Sequence, residues 1–314
     1  MKLVVFNEGR LGVLTNRGVV DASNLVAPLS GHDGMRTIIE QFEELEPQLA
    51  TLAVEGAALP LESVQLKAPV PRAKILAMGG NYREFGHREP SPMWGFLKST
   101  DAIVGDGATV FLPEVDANIF HHEAELVVVF GRAGENIPEA RAMDYVFGFT
   151  GGVDVSARMP RPAGAPAGAL PTSTMTVSGG KSYSGFAPLG PCVTTKDEIG
   201  DPEKLDVRLW VSGELRPNYN TSDLAHSIAE SIAWATSITP VEPGDVLFMG
   251  TNHQGLGALQ DGDKVELEIT NIGQLTFAIQ DSMKRRWDRG VDEATATGVR
   301  TGTGAPGSQS RPKA

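Results

Sequence analysis

Phe120-His121-His122-Glu123-Ala124-Glu125-Leu126-Val127-Val128-Val129-Phe130 decides how this chain is read. Its second half is an unbroken run of Leu, Val and Phe, the pattern of a strand buried on both faces. Side chains two residues apart on a strand point the same way. Glu123 and Glu125 therefore project together from one face, at the entrance to a buried strand. Adjacent carboxylates repel, and a shared proton or a cation relieves the repulsion. A second β-rich, glycine-punctuated run, Tyr145 to Ser156, carries one acid, Asp154. Two Glu and one Asp with no cysteine are hard oxygen donors, suited to Mg²⁺, Mn²⁺ or Ca²⁺ rather than Zn²⁺. The competing reading makes Glu123 and Glu125 an exposed strand face and Asp154 a turn residue. Spacing alone leaves both open.

The rest of the chain bounds the answer. Its 314 residues suffice for a large core and a small extra module. A net charge of −12 argues against nucleic acid or an anionic membrane as partner. It says little about a small anionic substrate, because a local cation overrides the global field. The single cysteine, Cys192, excludes an internal disulfide and fits a reducing cytoplasm. Met1 to Phe6 is apolar but stops at Asn7-Glu8-Gly9-Arg10, too short for the core of a signal peptide.

Residues 1–70 read as a small N-terminal α/β module. Three short strands (2–6, 11–15 and 19–21) precede a helical pattern from Met35 to Leu49, with Pro47 disturbing its end. Strands follow at 74–82, 95–98 and 109–112, then a short helix from Pro138 to Tyr145. Residues 159–180, dense in Pro, Gly and Ala, build no core and read as a mobile lid over a site. Thr221 is placed to cap a helix from Ser222 to about Ser237. Further strands are expected at 205–211, 246–249, 265–269 and 275–279. Residues 71–288 form the main body, and 289–314, poor in large apolar residues, read as a disordered tail. Many short strands with few helices make the fold class α+β, dominated by β.

Taken together these pieces resemble the fumarylacetoacetate hydrolase superfamily, acylpyruvase-like members included. The resemblance runs from about Ala73 to Asp281. It rests on G-G-N-Y at 79–82, F-L-K at 96–98, H-H-E-A-E-L at 121–126, D-V-S-A-R at 154–158, G-K-S-Y at 180–183, P-L-G-P at 188–191, S-G-E-L-R at 212–216, P-G-D-V at 243–246 and G-T at 250–251, in the family's order. The resemblance implies a mixed β-sandwich roll, a homodimer, and Mg²⁺ or Mn²⁺ held by Glu123, Glu125 and Asp154. It implies a 2-oxo or 2,4-dioxo acid as substrate. The leading expectation is hydrolysis of a C–C bond in a β-diketo acid. Lyase or isomerase chemistry on a 2-oxo acid is the alternative, and a non-catalytic metal-binding scaffold the third reading.

Lys181 matches the family's active-site lysine. The resemblance puts Tyr82, Arg158, Arg161, Thr251 and Asn252 at substrate-contacting positions. Arg158 offers a planar fork for a carboxylate. The chain departs from the family pattern where a histidine of a His–Glu pair usually stands, because that position is Phe85. Two imidazoles remain as candidate general base, His87 and His253. His87 is preferred here, because Glu89 stands near it in sequence and His253 has no acid nearby. His121 shares the strand face of the Glu pair, and His122 points away.

Overall fold

The computed structural model describes residues 1–160 and 180–313. The lid expectation for 159–180 therefore falls almost wholly, and Arg161 wholly, outside the described residues.

Among the described residues two sheets form. In the larger, the strand Ile119–Phe130 lies between Val146–Arg158 and Val246–Phe248. Val246–Phe248 then pairs in parallel with Ile75–Gly79. Every residue of Ile119–Phe130 is buried, as its apolar run requires. The smaller sheet orders Glu214–Asn220, Asp206–Val211, Lys264–Ile269, Gly273–Asp281 and Ala108–Leu112. The sheets meet face to face. Leu267 and Ile269 stand over Gly151, and Leu275 over Gly190. The Tyr219 hydroxyl of the smaller sheet donates to the Ala124 carbonyl of the larger. A Cβ at Gly152 would lie 2.6 Å from the Phe248 ring, so glycine there allows the close approach. Parallel and antiparallel pairs coexist, and the fold is the expected mixed β-sandwich roll.

The N-terminal strands continue the larger sheet, since Lys2–Phe6 pairs with Ala187–Thr195. The helical pattern of 35–49 resolves into two helices, Gly31–Glu40 and Phe42–Glu55, broken at Gln41. Pro47 lies inside the second without ending it. The helix expected from Ser222 begins at Ile228 instead. Ser227 caps it and Glu230 completes a capping box, whereas Thr221 opens a short 3₁₀ turn.

The largest correction concerns the tail. Residues 293–301 form a helix. Asp292 caps it, accepting from the Thr295 N–H at 3.2 Å, and Gly302 ends it at φ +67°. Thr295, Ala296, Gly298 and Val299 are buried. Trp287, buried just ahead of it, donates from Nε1 to the Asn118 carbonyl at 2.7 Å. Small residues misled the sequence reading, because they supply no hydrophobic stripe yet allow backbone to dock closely. Ending the chain at Gly290 is expected to lower the melting temperature by at least about 5 °C, the effect of roughly 2 kcal/mol in a large domain. An unchanged melting curve would contradict this docking.

Candidate active site

Antiparallel pairing of Ile119–Phe130 with Val146–Arg158 builds the site. Glu123 stands opposite Asp154, and His121 opposite Ser156. Directly paired residues share a face. With a period of two, one face therefore carries His121, Glu123 and Glu125 from the first strand and Asp154, Ser156 and Arg158 from the second. D-V-S-A-R is itself an alternating pattern, and reading it so would have placed all three polar residues together. Glu123, Glu125 and Asp154 are buried, which removes the exposed-face reading. Ligand oxygens of the three lie within 4.8 Å of one another.

Cations crowd this cluster. Lys181 Nζ bridges Glu123 and Asp154 and donates to Ser156 Oγ at 2.8 Å. Lys98, its side chain wholly buried, binds the other Asp154 oxygen and the Phe186 carbonyl at 2.7 Å. Lys98 closes F-L-K at 96–98, and nothing local in the sequence marks it as a partner of Asp154. Arg158 donates from Nη2 to Glu123. Burial opposes ionisation of Glu123, but Arg158, Lys181 and His253 outweigh it and hold the carboxyl well below its usual range. Glu125 is the reverse case. Burial, then the Asp154 and Glu123 carboxylates, push it well above the usual range. Its favourable partner is the Gly250 N–H at 2.5 Å. Gly250 sits at φ +86°, a turn that glycine makes readily. Burial lowers Lys98, while Lys181 is raised because Asp154 and Glu123 outweigh its burial.

The histidine whose ring nitrogen approaches a carboxylate of this cluster is His253. Its Nδ1 bonds Glu84 Oε1 at 2.6 Å, its backbone N–H donates to Glu84 Oε2 at 2.9 Å, and its Nε2 lies 3.6 Å from Glu123 Oε1. The expected His87–Glu89 pair does not form here. Both residues are exposed, and His87 Nδ1 meets only the Glu84 carbonyl, at 2.8 Å. Glu84 escaped the sequence reading because its partner lies 169 residues away. The loop bearing it turns through positive φ at Glu84, Phe85 and Gly86. Phe85 N–H bonded to Asp223 at 3.0 Å and Gln254 bonded to the Glu84 carbonyl at 2.5 Å hold that turn.

A cavity of about 520 Å³ opens onto the cluster. Glu123, Glu125, Arg158, Lys181, Thr251 and His253 lie at its polar end. Two expected substrate contacts are absent from its lining. Tyr82 is buried in the core, its ring edge-on to Tyr219 at 4.8 Å. Asn252 is spent on structure, binding Asp223 at 3.1 Å and accepting from the Gln254 N–H at 3.0 Å. His122 does face the opposite way, where its Nε2 accepts from the Gly257 N–H at 3.1 Å. No helix among the described residues is long and apolar enough to cross a membrane.

Known proteins share this architecture. Maleylpyruvate hydrolase of Aquipseudomonas alcaligenes is 31% identical over 303 residues, covering 89% of this chain and 99% of its own. A mitochondrial oxaloacetate tautomerase of Xenopus laevis is 33% identical over 260 residues, 77% of each chain. The crystal structure of maleylpyruvate hydrolase from Sphingobium sp. SYK-6 with manganese(II) and pyruvate is similar with a TM-score of 0.78. It is 32% identical and covers 90% of this chain and 99% of that one. The family model of the fumarylacetoacetate (FAA) hydrolase C-terminal domain matches residues 74–280, more than half of the sequence, and every group described at the polar end of the cavity falls within it. The chain belongs to the fumarylacetoacetate hydrolase family.

Proposed function

We propose that this protein is a divalent-metal-dependent hydrolase that cleaves the C–C bond of a 2,4-dioxo acid of the acylpyruvate type. The observation that carries the reading is the imidazole of His253, bonded to Glu84 through Nδ1 and turned with Nε2 toward three buried carboxylates. Three hard oxygen donors, one of them a carboxyl raised by burial and then by the Asp154 and Glu123 carboxylates, fit a divalent cation, because positive charge there relieves the repulsion among them. Glu123, Glu125 and Asp154 would hold Mg²⁺ or Mn²⁺, which supplies Lewis-acid polarisation of the substrate oxygens.

The chain's own residues do the rest. His253 Nε2 takes a proton from water while Glu84 fixes its tautomer. The water oxygen adds to the acyl carbonyl, and the bond between that carbon and the pyruvyl methylene breaks. Its electrons pass into the enolate of pyruvate, which takes a proton at carbon to give pyruvate beside the free acyl acid. Lys181 stabilises negative charge on the substrate. Arg158 and Thr251 hold the carboxylate. The manganese and pyruvate bound in the Sphingobium enzyme support this reading. A cytoplasmic homodimer belongs to the same proposal, and light scattering at twice the 33.3 kDa chain mass is its check.

Turnover of a panel of acylpyruvates and oxaloacetate with Mn²⁺ tests the assignment. Stoichiometric release of pyruvate and an acid is expected. Enol–keto exchange of oxaloacetate without C–C cleavage would overturn the hydrolase in favour of a tautomerase, the activity named for the Xenopus relative.

A further inference from the structure

The C-terminal segment lies beyond the residues matched by the family model, yet it reaches the polar end of the cavity. Asp292 caps its helix and accepts from Thr295 Oγ1 at 2.8 Å and Ser310 Oγ at 2.6 Å. The same carboxylate lies 3.3 Å from His121 Nε2. On its other side, His121 Nδ1 accepts from Arg158 Nε at 3.2 Å. An imidazole nitrogen that accepts carries no proton, so the proton of His121 sits on Nε2 and is donated to Asp292. Arg158 then donates from Nη2 to Glu123. The chain of contacts runs from the C-terminal segment, through one buried imidazole, to a guanidinium on the cavity wall.

The segment also grips Arg158 by shape. Gly307 packs so tightly on it that a Cβ there would stand 2.5 Å from Arg158 Cγ. Gly307 is itself tied down. Its N–H donates to Thr295 Oγ1 at 2.8 Å, and its carbonyl accepts from Asn118 Nδ2 at 3.2 Å. A guanidinium binds a carboxylate well only when its plane is fixed, and the contacts of Nε with His121 and of Nη2 with Glu123 fix that plane.

We propose that Asp292 is a positioning residue for substrate binding, fixing the plane of the Arg158 guanidinium through His121, so that the C-terminal segment is a working part of the active site. This rests on the reading of Arg158 as the carboxylate clamp. It does not require that the reaction be hydrolysis.

The test uses the full chain loaded with Mn²⁺ and pyruvate as probe. Asp292→Asn keeps a residue able to cap the helix but replaces the charged acceptor. Its pyruvate Kd by calorimetry is expected to rise about tenfold, ~1.4 kcal/mol. KM for a turned-over acylpyruvate should rise in step while kcat and Mn²⁺ affinity stay within about twofold, a split that general loosening of the fold would not give. In an Arg158→Ala background the same substitution should change pyruvate Kd no further, because its effect travels through Arg158. An unchanged Kd in Asp292→Asn overturns the proposal, as does a tenfold loss that persists in full without Arg158. Failure of wild-type protein with Mn²⁺ to bind pyruvate would remove the clamp and the proposal with it. If no acylpyruvate is cleaved but pyruvate binding follows the expected pattern, the hydrolase reading falls and the role of Asp292 stands.

Discussion

Replacing His253 with alanine is expected to lower kcat by about 10²–10⁴-fold, the usual worth of a general base. His87→Ala should leave kcat unchanged. The contrast follows from geometry. His253 has a buried carboxylate on Nδ1 and faces the acid cluster with Nε2. His87 is exposed and meets a backbone carbonyl. Glu84→Gln should fall between the two, since it keeps a hydrogen-bonding side chain but loses the charge that favours the imidazolium. Steady-state kinetics on whichever acylpyruvate is turned over reads all three. Wild-type kcat in His253→Ala would remove imidazole from water activation and favour chemistry without water attack.

Metal removal should have the second large effect. Protein treated with EDTA is expected to lose turnover and regain it with Mn²⁺ or Mg²⁺. Glu123→Gln or Asp154→Asn should weaken Mn²⁺ binding by more than about 100-fold. Residues that merely orient metal ligands are already worth 10–100-fold, and removing a ligand charge costs more. The electrostatics of the cluster give the reason. Lys98, Lys181 and Arg158 bond Glu123 and Asp154 directly, whereas the favourable influences on Glu125, the charge of Lys181 and the Gly250 N–H, are outweighed by burial and its two carboxylate neighbours. A divalent cation supplies the charge that Glu125 lacks. Manganese titration followed by electron paramagnetic resonance measures the affinity. Full activity in metal-free protein, or wild-type affinity in both variants, would refute the assignment.

Phe85 stands where a histidine is usual in the family, a substitution that by itself suits a scaffold without a base. The structure sets another imidazole–carboxylate pair, His253 and Glu84, beside the acid cluster. Here the imidazole comes from the loop after Gly250-Thr251 and the carboxylate from the loop after Tyr82, and Phe85 is left half exposed at the turn between them and solvent.

What could be read from residues alone was local geometry. The Val-rich run fixes a buried strand, and a strand's period of two puts Glu123 and Glu125 on one face whatever surrounds them. Turn residues and β-branched runs marked most strands to within a residue or two, because backbone preference and alternation act over a few residues. Short-range patterns failed where an interaction joins distant segments. Glu84 meets His253 only because their two loops leave the same end of the parallel strands Ile75–Gly79 and Val246–Phe248, and no spacing rule spans 169 residues. The C-terminal helix has too little apolar surface to announce itself, and it exists because Asp292 and Gly307 find partners on the body of the protein, His121 and Asn118. Tyr82 and Asn252 carry residue types suited to a substrate, yet packing turned them to the core. The sequence by itself determined the strands and the face bearing the paired glutamates, since those follow from backbone periodicity. Only the tertiary structure decided which imidazole, which lysines and which terminal carboxylate surround them, since those contacts depend on how separate segments pack in three dimensions.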